Sequence, residues 1–308
     1  MKYIKVRNIP AELSAVVLGC MRMPDLSAEQ AEAVIRNAYE LGVNCFDHAD
    51  CYGMGEAETV FGKAFPKTGI PRENVFIQSK CAICPDRQVF DWSKEHIIKS
   101  VDKILSRLGM EYLDALLLHR PDLLFEPEEV AEAFDVLYLS GKVRAFGVSN
   151  LMPMQIELLK KYVQHPLVFD QVQLSLDQSQ LIDQALYMNN KTTNMSYSMD
   201  GSLLDYCRLN DITIQAWSPL QFGFFKGTFV DNPDFPELNK ALGEVAERHG
   251  VSKTAVAIAW ILRHPAHMQA IAGTMNPDHL REVCDASKVE LTREEWYRLY
   301  LASGKFLP

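Results

Sequence analysis

Short apolar runs alternate with amphipathic stretches along almost the whole chain. The runs are AVVLGC (15–20), VNCFDHA (43–49), VFIQSK (75–80), LDALLLH (113–119), RAFGVSN (144–150), VFDQVQLS (168–175), TIQAWSPL (213–220) and MQAIAGTM (268–275), eight in all. Most lack strict alternation, which suits strands covered on both faces, as in a parallel sheet. The stretches between them carry helix signals. Ser27 precedes AEQAEAVIRNAYEL with Gln30 three residues on, a capping box, and Gly42 ends the segment. Ile97, Ile98, Val101, Ile104, Leu105 and Leu108 mark one face of a helix over 94–108, closed by Gly109. Residues 128–139 repeat that design up to Gly141, Asn276-Pro277 reads as N-cap and first turn, and Thr292 with Glu295 opens a last helix.

Eight βα units within roughly 250 residues predict a (β/α)₈ TIM barrel with a short N-terminal β-hairpin. An open doubly wound sheet is the alternative. Residues 1–308 read as a single domain, without a linker, low-complexity tract or repeat. The longest irregular stretch is 176–201, and loops of that length are often functional or mobile.

Composition narrows the partners. Hydrophobic residues make up 48% of the 308, enough for a large core, and the net charge of -9 argues against nucleic acid or an anionic membrane surface. MKYIKVRNI lacks a signal-type apolar run, and no stretch has the length of a membrane span. The seven cysteines form an odd set, several inside apolar runs, which predicts reduced thiols and a cytoplasmic protein. Oligomeric state is not legible.

Four polar residues stand at the ends of successive predicted strands. Asp47 ends VNCFD, with Tyr52 five residues on; Lys80 ends VFIQSK; His119 ends LDALLLH. Each alone has a plain reading: a turn residue, a half-buried packing tyrosine, a strand-tip lysine, a satisfied core histidine. Together they fall on the C-terminal edge, where barrels carry their chemistry. Asp47 can hold Lys80 charged, and Lys80 beside Tyr52 is expected to lower the phenol's pKa. Tyr52 then donates a proton to a forming alkoxide, and His119 positions the same oxygen.

In order and spacing, FDHADCYG, QSK, LLLHRPD and GVSN resemble the aldo-keto reductase superfamily, and bacterial oxidoreductases within it, from LGCMRM to GTMNPDHLREV. The resemblance implies the same barrel, and an Asp, Tyr, Lys, His tetrad at Asp47, Tyr52, Lys80 and His119. It implies hydride transfer from NADPH, with NAD possible, to a small aldehyde or ketone. Ser149, Asn150 and Gln171 match residues that hold the nicotinamide carboxamide, although Asp170 stands where Asn is common. Trp217 matches an aromatic that stacks on the nicotinamide, and Ser218, Pro219 and Leu220 begin the loop near the pyrophosphate. At the adenosine end Thr274 fits a hydroxyl role, Gly273 replaces a common Lys, and His279 replaces a common Arg. The N-terminus at Asn276 can still attract phosphate.

Positions past the strand ends nominate Met21, Met23, Phe90, Trp92 and the 176–201 stretch as substrate walls. Other motifs are set aside. GMGEAE lacks the third Gly of a dinucleotide fingerprint. Cys81 and Cys84 form a C-x-x-C without a second pair for zinc and without a thioredoxin-like setting. Two other functions compete: a nucleotide-binding regulatory subunit with little turnover, and a hydrolase or lyase using Lys80 as Schiff-base nucleophile.

Overall fold

The computed structural model describes residues 1–186, 202–223 and 226–307. Its eight apolar runs become eight parallel strands: β3 (Val16–Gly19), β4 (Cys45–Asp47), β5 (Phe76–Cys81), β8 (Ala115–Leu118), β9 (Phe146–Ser149), β10 (Leu167–Gln173), β11 (Thr213–Trp217) and β12 (Gln269–Ala272). They close in the order β3-β4-β5-β8-β9-β10-β11-β12, with β12 pairing back onto β3. Closure excludes the doubly wound sheet. The remaining strands form two hairpins, β1 (Tyr3–Ile4) with β2 (Leu13–Ser14), and β6 (Ile83–Cys84) with β7 (Val89–Phe90).

The first hairpin plugs one end of the barrel. Leu13 and Val6 pack with Val17, Phe76, Leu117 and Phe169 in the interior. A larger apolar layer joins the barrel's outer face to the surrounding helices. Each fully buried side chain of this kind contributes about 1.5–3 kcal/mol.

The helix signals hold in detail. In α1 (Ala28–Glu40) Ser27 accepts from the Gln30 amide while the Gln30 side chain accepts from the Ser27 amide. Thr292 and Glu295 make the same reciprocal pair before α11 (Arg293–Ala302). Gly109 closes α3 (Lys94–Leu108) at a φ of 63°, a left-handed conformation cheap only for glycine. The stretch 176–201, read as irregular, contains the helix Gln180–Leu186; its residues 187–201 lie outside those described. Among the described residues, no helix is long and apolar enough to cross a membrane.

Candidate active site

Asp47 is the last residue of β4, Lys80 is the penultimate residue of β5, and His119 directly follows β8. Tyr52 begins a tight turn, Tyr52–Gly55, in which Gly53, Met54 and Gly55 all have positive φ. A side chain at Gly53 would meet Pro24, and one at Gly55 would meet Arg107, so this turn is packed from both sides. Strand ends and turn thus bring all four predicted residues to one rim.

Lys80 is fully buried, and its Nζ donates to Asp47 Oδ1 at 2.6 Å and to the His48 carbonyl at 2.8 Å. The same Asp47 oxygen accepts from Gln78 at 2.6 Å and from Gln171 at 3.0 Å. Such a pair is tolerable out of water only because further hydrogen bonds support both charges. Behind it the barrel holds a chain of amides. Gln215 pairs reciprocally with Gln78, accepts from Gln171 and donates to Gln269, which donates to the Ser14 carbonyl. Gln78, Gln215 and Gln269 were not among the residues expected at the site. The register sets Gln171 beside Gln215 beside Gln269 in one interior row, and Gln78, in register with Asp47, joins it through Gln215.

The Tyr52 ring lies 5.1 Å from Lys80 Nζ and edge-on to His119, at 5.8 Å and 82°. The expectation that Lys80 lowers the Tyr52 pKa does not hold. Burial, then the Asp47 charge, pushes the phenol well above its ordinary 10. The Lys80 ammonium is engaged by Asp47 and His48, so its field at the phenol is offset. Tyr52 stays protonated, the form an acid needs. His119 is held well below 6.5, first by burial, then by the Lys80 and Arg120 charges, so the imidazole is neutral. Its Nδ1 stands 3.6 Å from the Cys51 thiol, a contact unforeseen in the sequence.

These groups face a cavity of about 1010 Å³. Asp47, Tyr52 and His119 line it; Lys80 lies behind Asp47. The predicted cofactor contacts Ser149, Asn150, Gln171, Trp217, Ser218, Leu220, Thr274, Asn276 and His279 all line it. Asn150, at a φ of 62°, donates to Ser149 Oγ at 2.7 Å and accepts from Trp217 Nε1 at 3.1 Å. Gln171 has its amide nitrogen committed to Asp47 and Gln215 while still lining the cavity. Asn276 caps α10 (Pro277–Asp285), accepting from the Asp278 and His279 amides.

The wall residues divide. Met21 lines the cavity, whereas Met23 is fully buried in the core. Phe90 points outward at 46% exposure, and Trp92 is buried against Phe125 with Nε1 on the Arg120 carbonyl. Neither lines the cavity, which Ile83 reaches instead. Two lining cations were also missed. Arg120 lies over the Trp217 ring, and Arg22 donates to the Gly273 carbonyl at 2.7 Å. A Cβ at Gly273 would sit 2.7 Å from Arg22 Nη1, so glycine there makes room for that guanidinium. LGCMRM and HRPD placed both arginines just past strand ends, which was the available signal.

The rim and cavity would fit a nicotinamide dinucleotide: an amide-lined pocket with an aromatic flank near the tetrad, and a capped helix N-terminus with an arginine at the far end. Comparison with known proteins identifies the family. The model of the aldo/keto reductase family matches residues 15–301. The uncharacterized oxidoreductase YcsN of Bacillus subtilis is 34% identical, over 94% of each chain. The 6-dehydroglucose reductase of Agrobacterium fabrum is also 34% identical, over 96% of each. Among solved structures, the thermostable aldo-keto reductase Tm1743, crystallised with the inhibitor epalrestat, aligns over 98% of this chain and 100% of its own. Its TM-score is 0.78 and its identity 26%.

Proposed function

From a chain that belongs to the aldo/keto reductase family, we propose NADPH-dependent reduction of a small aldehyde or ketone, with Tyr52 as general acid. Carbonyl reduction is the family's general chemistry; the cofactor and the residue roles are our reading. The observation that carries it is the meeting of Tyr52, His119 and the Asp47–Lys80 pair on one rim of one cavity. A bound NADPH would supply the hydride. Ser149, Asn150 and Gln171 would hold its carboxamide, with Trp217 against the ring. Thr274, Asn276, His279 and Arg22 would receive the phosphates, and Ser218 and Leu220 border the path between.

The protein's own groups then divide the remaining work. His119, neutral, donates a hydrogen bond to the substrate oxygen and fixes its position. Tyr52 gives that oxygen its phenolic proton as negative charge develops, a contribution on the order of 10²–10⁴-fold. The Asp47–Lys80 pair anchors the floor on which both stand. NADPH rather than NADH is favoured by the Arg22 guanidinium at the phosphate end. The seven cysteines are free, which supports a reducing, cytoplasmic setting.

The test is NADPH oxidation by the purified chain against a carbonyl panel that includes 6-dehydroglucose, the compound in the name of the Agrobacterium relative. Carbonyl-dependent oxidation is expected. Tight NADPH binding without turnover on any carbonyl favours the regulatory reading instead. Borohydride trapping of a substrate on Lys80 favours the Schiff-base reading.

A further inference from the structure

The C-x-x-C after Lys80 splits in the fold. Cys81 is the buried last residue of β5, whereas Cys84 closes the short strand β6 and turns to a different set of groups. Cys84 Sγ lies 3.6 Å from His96 Nε2, the ring nitrogen that would bind an ion and that also stands 3.3 Å from Ser100 Oγ; the other ring nitrogen, Nδ1, lies 3.9 Å from Asp91 Oδ2. One ligand atom from each of Cys84, Asp91 and His96 falls within 4.8 Å of the other two. Zinc lengths of about 2.3 Å to sulfur and 2.0–2.1 Å to nitrogen, at a tetrahedral angle, give an S···N edge of about 3.6 Å. The Cys84–His96 separation already has that value.

The neighbours support the same reading. Asp91 Oδ1 is held by the Ser93 amide and hydroxyl, at 3.1 and 2.7 Å, which leaves Oδ2 to turn inward. One Nη2 of Arg87 donates to both Cys84 Sγ, at 3.1 Å, and Asp91 Oδ2, at 2.9 Å. A positive charge therefore already bridges thiol and carboxylate. It belongs to a side chain 53% exposed, on the hairpin tip, where solvent can receive it.

We propose that Cys84, Asp91 and His96 form a site for one zinc-class divalent ion, which fastens the β6–β7 hairpin to the start of α3. Binding displaces the Arg87 guanidinium to solvent and releases the Cys84 thiol proton to water. Three protein ligands leave a fourth position for a water molecule. Ile83, beside Cys84 in β6, lines the cavity, so the ion would stiffen one wall of the substrate site.

The test needs no carbonyl substrate. The chelator-treated full chain is titrated with Co²⁺ and followed by absorption. One equivalent should give tetrahedral visible bands and a near-ultraviolet thiolate-to-cobalt band, both bleached by Zn²⁺. Cys84→Ser should abolish the thiolate band and weaken zinc binding by at least about tenfold, the loss seen for mere outer-shell partners. Cys81→Ser should leave both intact, and Arg87→Ala should tighten binding by removing the competing cation. His96→Gln gives a second ligand variant should Cys84→Ser fold poorly. No thiolate band in the wild type, or the same band in a folded Cys84→Ser or His96→Gln protein, overturns the proposal.

Discussion

The Cys51 thiol lies 3.6 Å from Nδ1 of His119, on the residue next to the tetrad tyrosine. Burial holds that thiol protonated, its pKa pushed up to about 12, so the thiol can donate and Nδ1 accept. The imidazole would then carry its proton on Nε2, the nitrogen left for a substrate oxygen. Nitrogen-15 spectra of the His119 ring should show the Nε2–H tautomer and no titration between about pH 6.5 and 9. Cys51→Ala should release the tautomer and lower kcat about fivefold, the worth of one neutral hydrogen bond. An unchanged ring spectrum in that variant removes Cys51 from this role.

Tyr52→Phe deletes the only acid this reading places at the substrate oxygen. Turnover should fall by about 10²–10⁴-fold, with the dissociation constant for NADPH nearly unchanged. Because burial and Asp47 raise the phenol's pKa, its proton is retained as pH rises through 10, and reduction should show no loss of the acid below that point. A pH–rate profile with a descending limb near neutrality would assign the proton to another group.

Removing Lys80 leaves the buried Asp47 carboxylate without its counter-charge, with the Gln78 and Gln171 amides as its side-chain donors among the described residues. Lys80→Met should therefore destabilise the fold by about 3–5 kcal/mol and abolish most turnover. The double variant Asp47→Asn with Lys80→Met should recover much of that stability but not the activity. Denaturant titration of the three proteins checks this. Equal destabilisation in the single and double variants would show that the pair itself does not account for the loss.

The barrel was legible because each of its strands is an apolar run, several of them ended by a polar residue, and because Ser27, Thr292 and Asn276 carry local capping chemistry. The tetrad was legible for the same reason: strand ends fix position in a parallel sheet. What failed depends on direction rather than position. Met21 and Met23 are two residues apart, yet one lines the cavity and the other fills the core. Trp92 looked like a substrate wall until Phe125 and the Arg120 carbonyl claimed it. The glutamine row was hidden because a buried amide breaks the apolar pattern, and its partners are on strands far apart in sequence. The tuning of Tyr52 was misread because charge sign was known and burial was not.

Arg22 should matter to the cofactor's phosphates. It lines the cavity beside Gly273, in space that a side chain at that position would take. Arg22→Ala should raise KM for NADPH about tenfold, with a smaller change for NADH and little change in kcat, since one charge-assisted contact contributes about 1.5–3 kcal/mol. Equal losses with both cofactors would place Arg22 at the shared pyrophosphate rather than at the phosphate that distinguishes them.

Asp170 sits on β10 with its carboxyl fully buried; the Asn150 and Leu151 amides lie toward it, yet among the described residues no donor reaches hydrogen-bond geometry. Burial raises its pKa from 3.8 to about 7. The unfolded chain therefore loses this proton near pH 4 while the folded protein keeps it to about pH 7. Folding stability should fall as pH rises across that window, by on the order of 4 kcal/mol for this group, and level off above it. Asp50, also raised to about 7, first by burial and then by Glu58, adds a loss of the same sign. The difference between Asp170→Asn and wild type isolates Asp170. Urea unfolding at pH 5 and pH 8 should show the variant gaining stability over wild type at the higher pH. A constant offset at both would mean that Asp170 is ionised in the folded protein throughout, its charge met by those two amides.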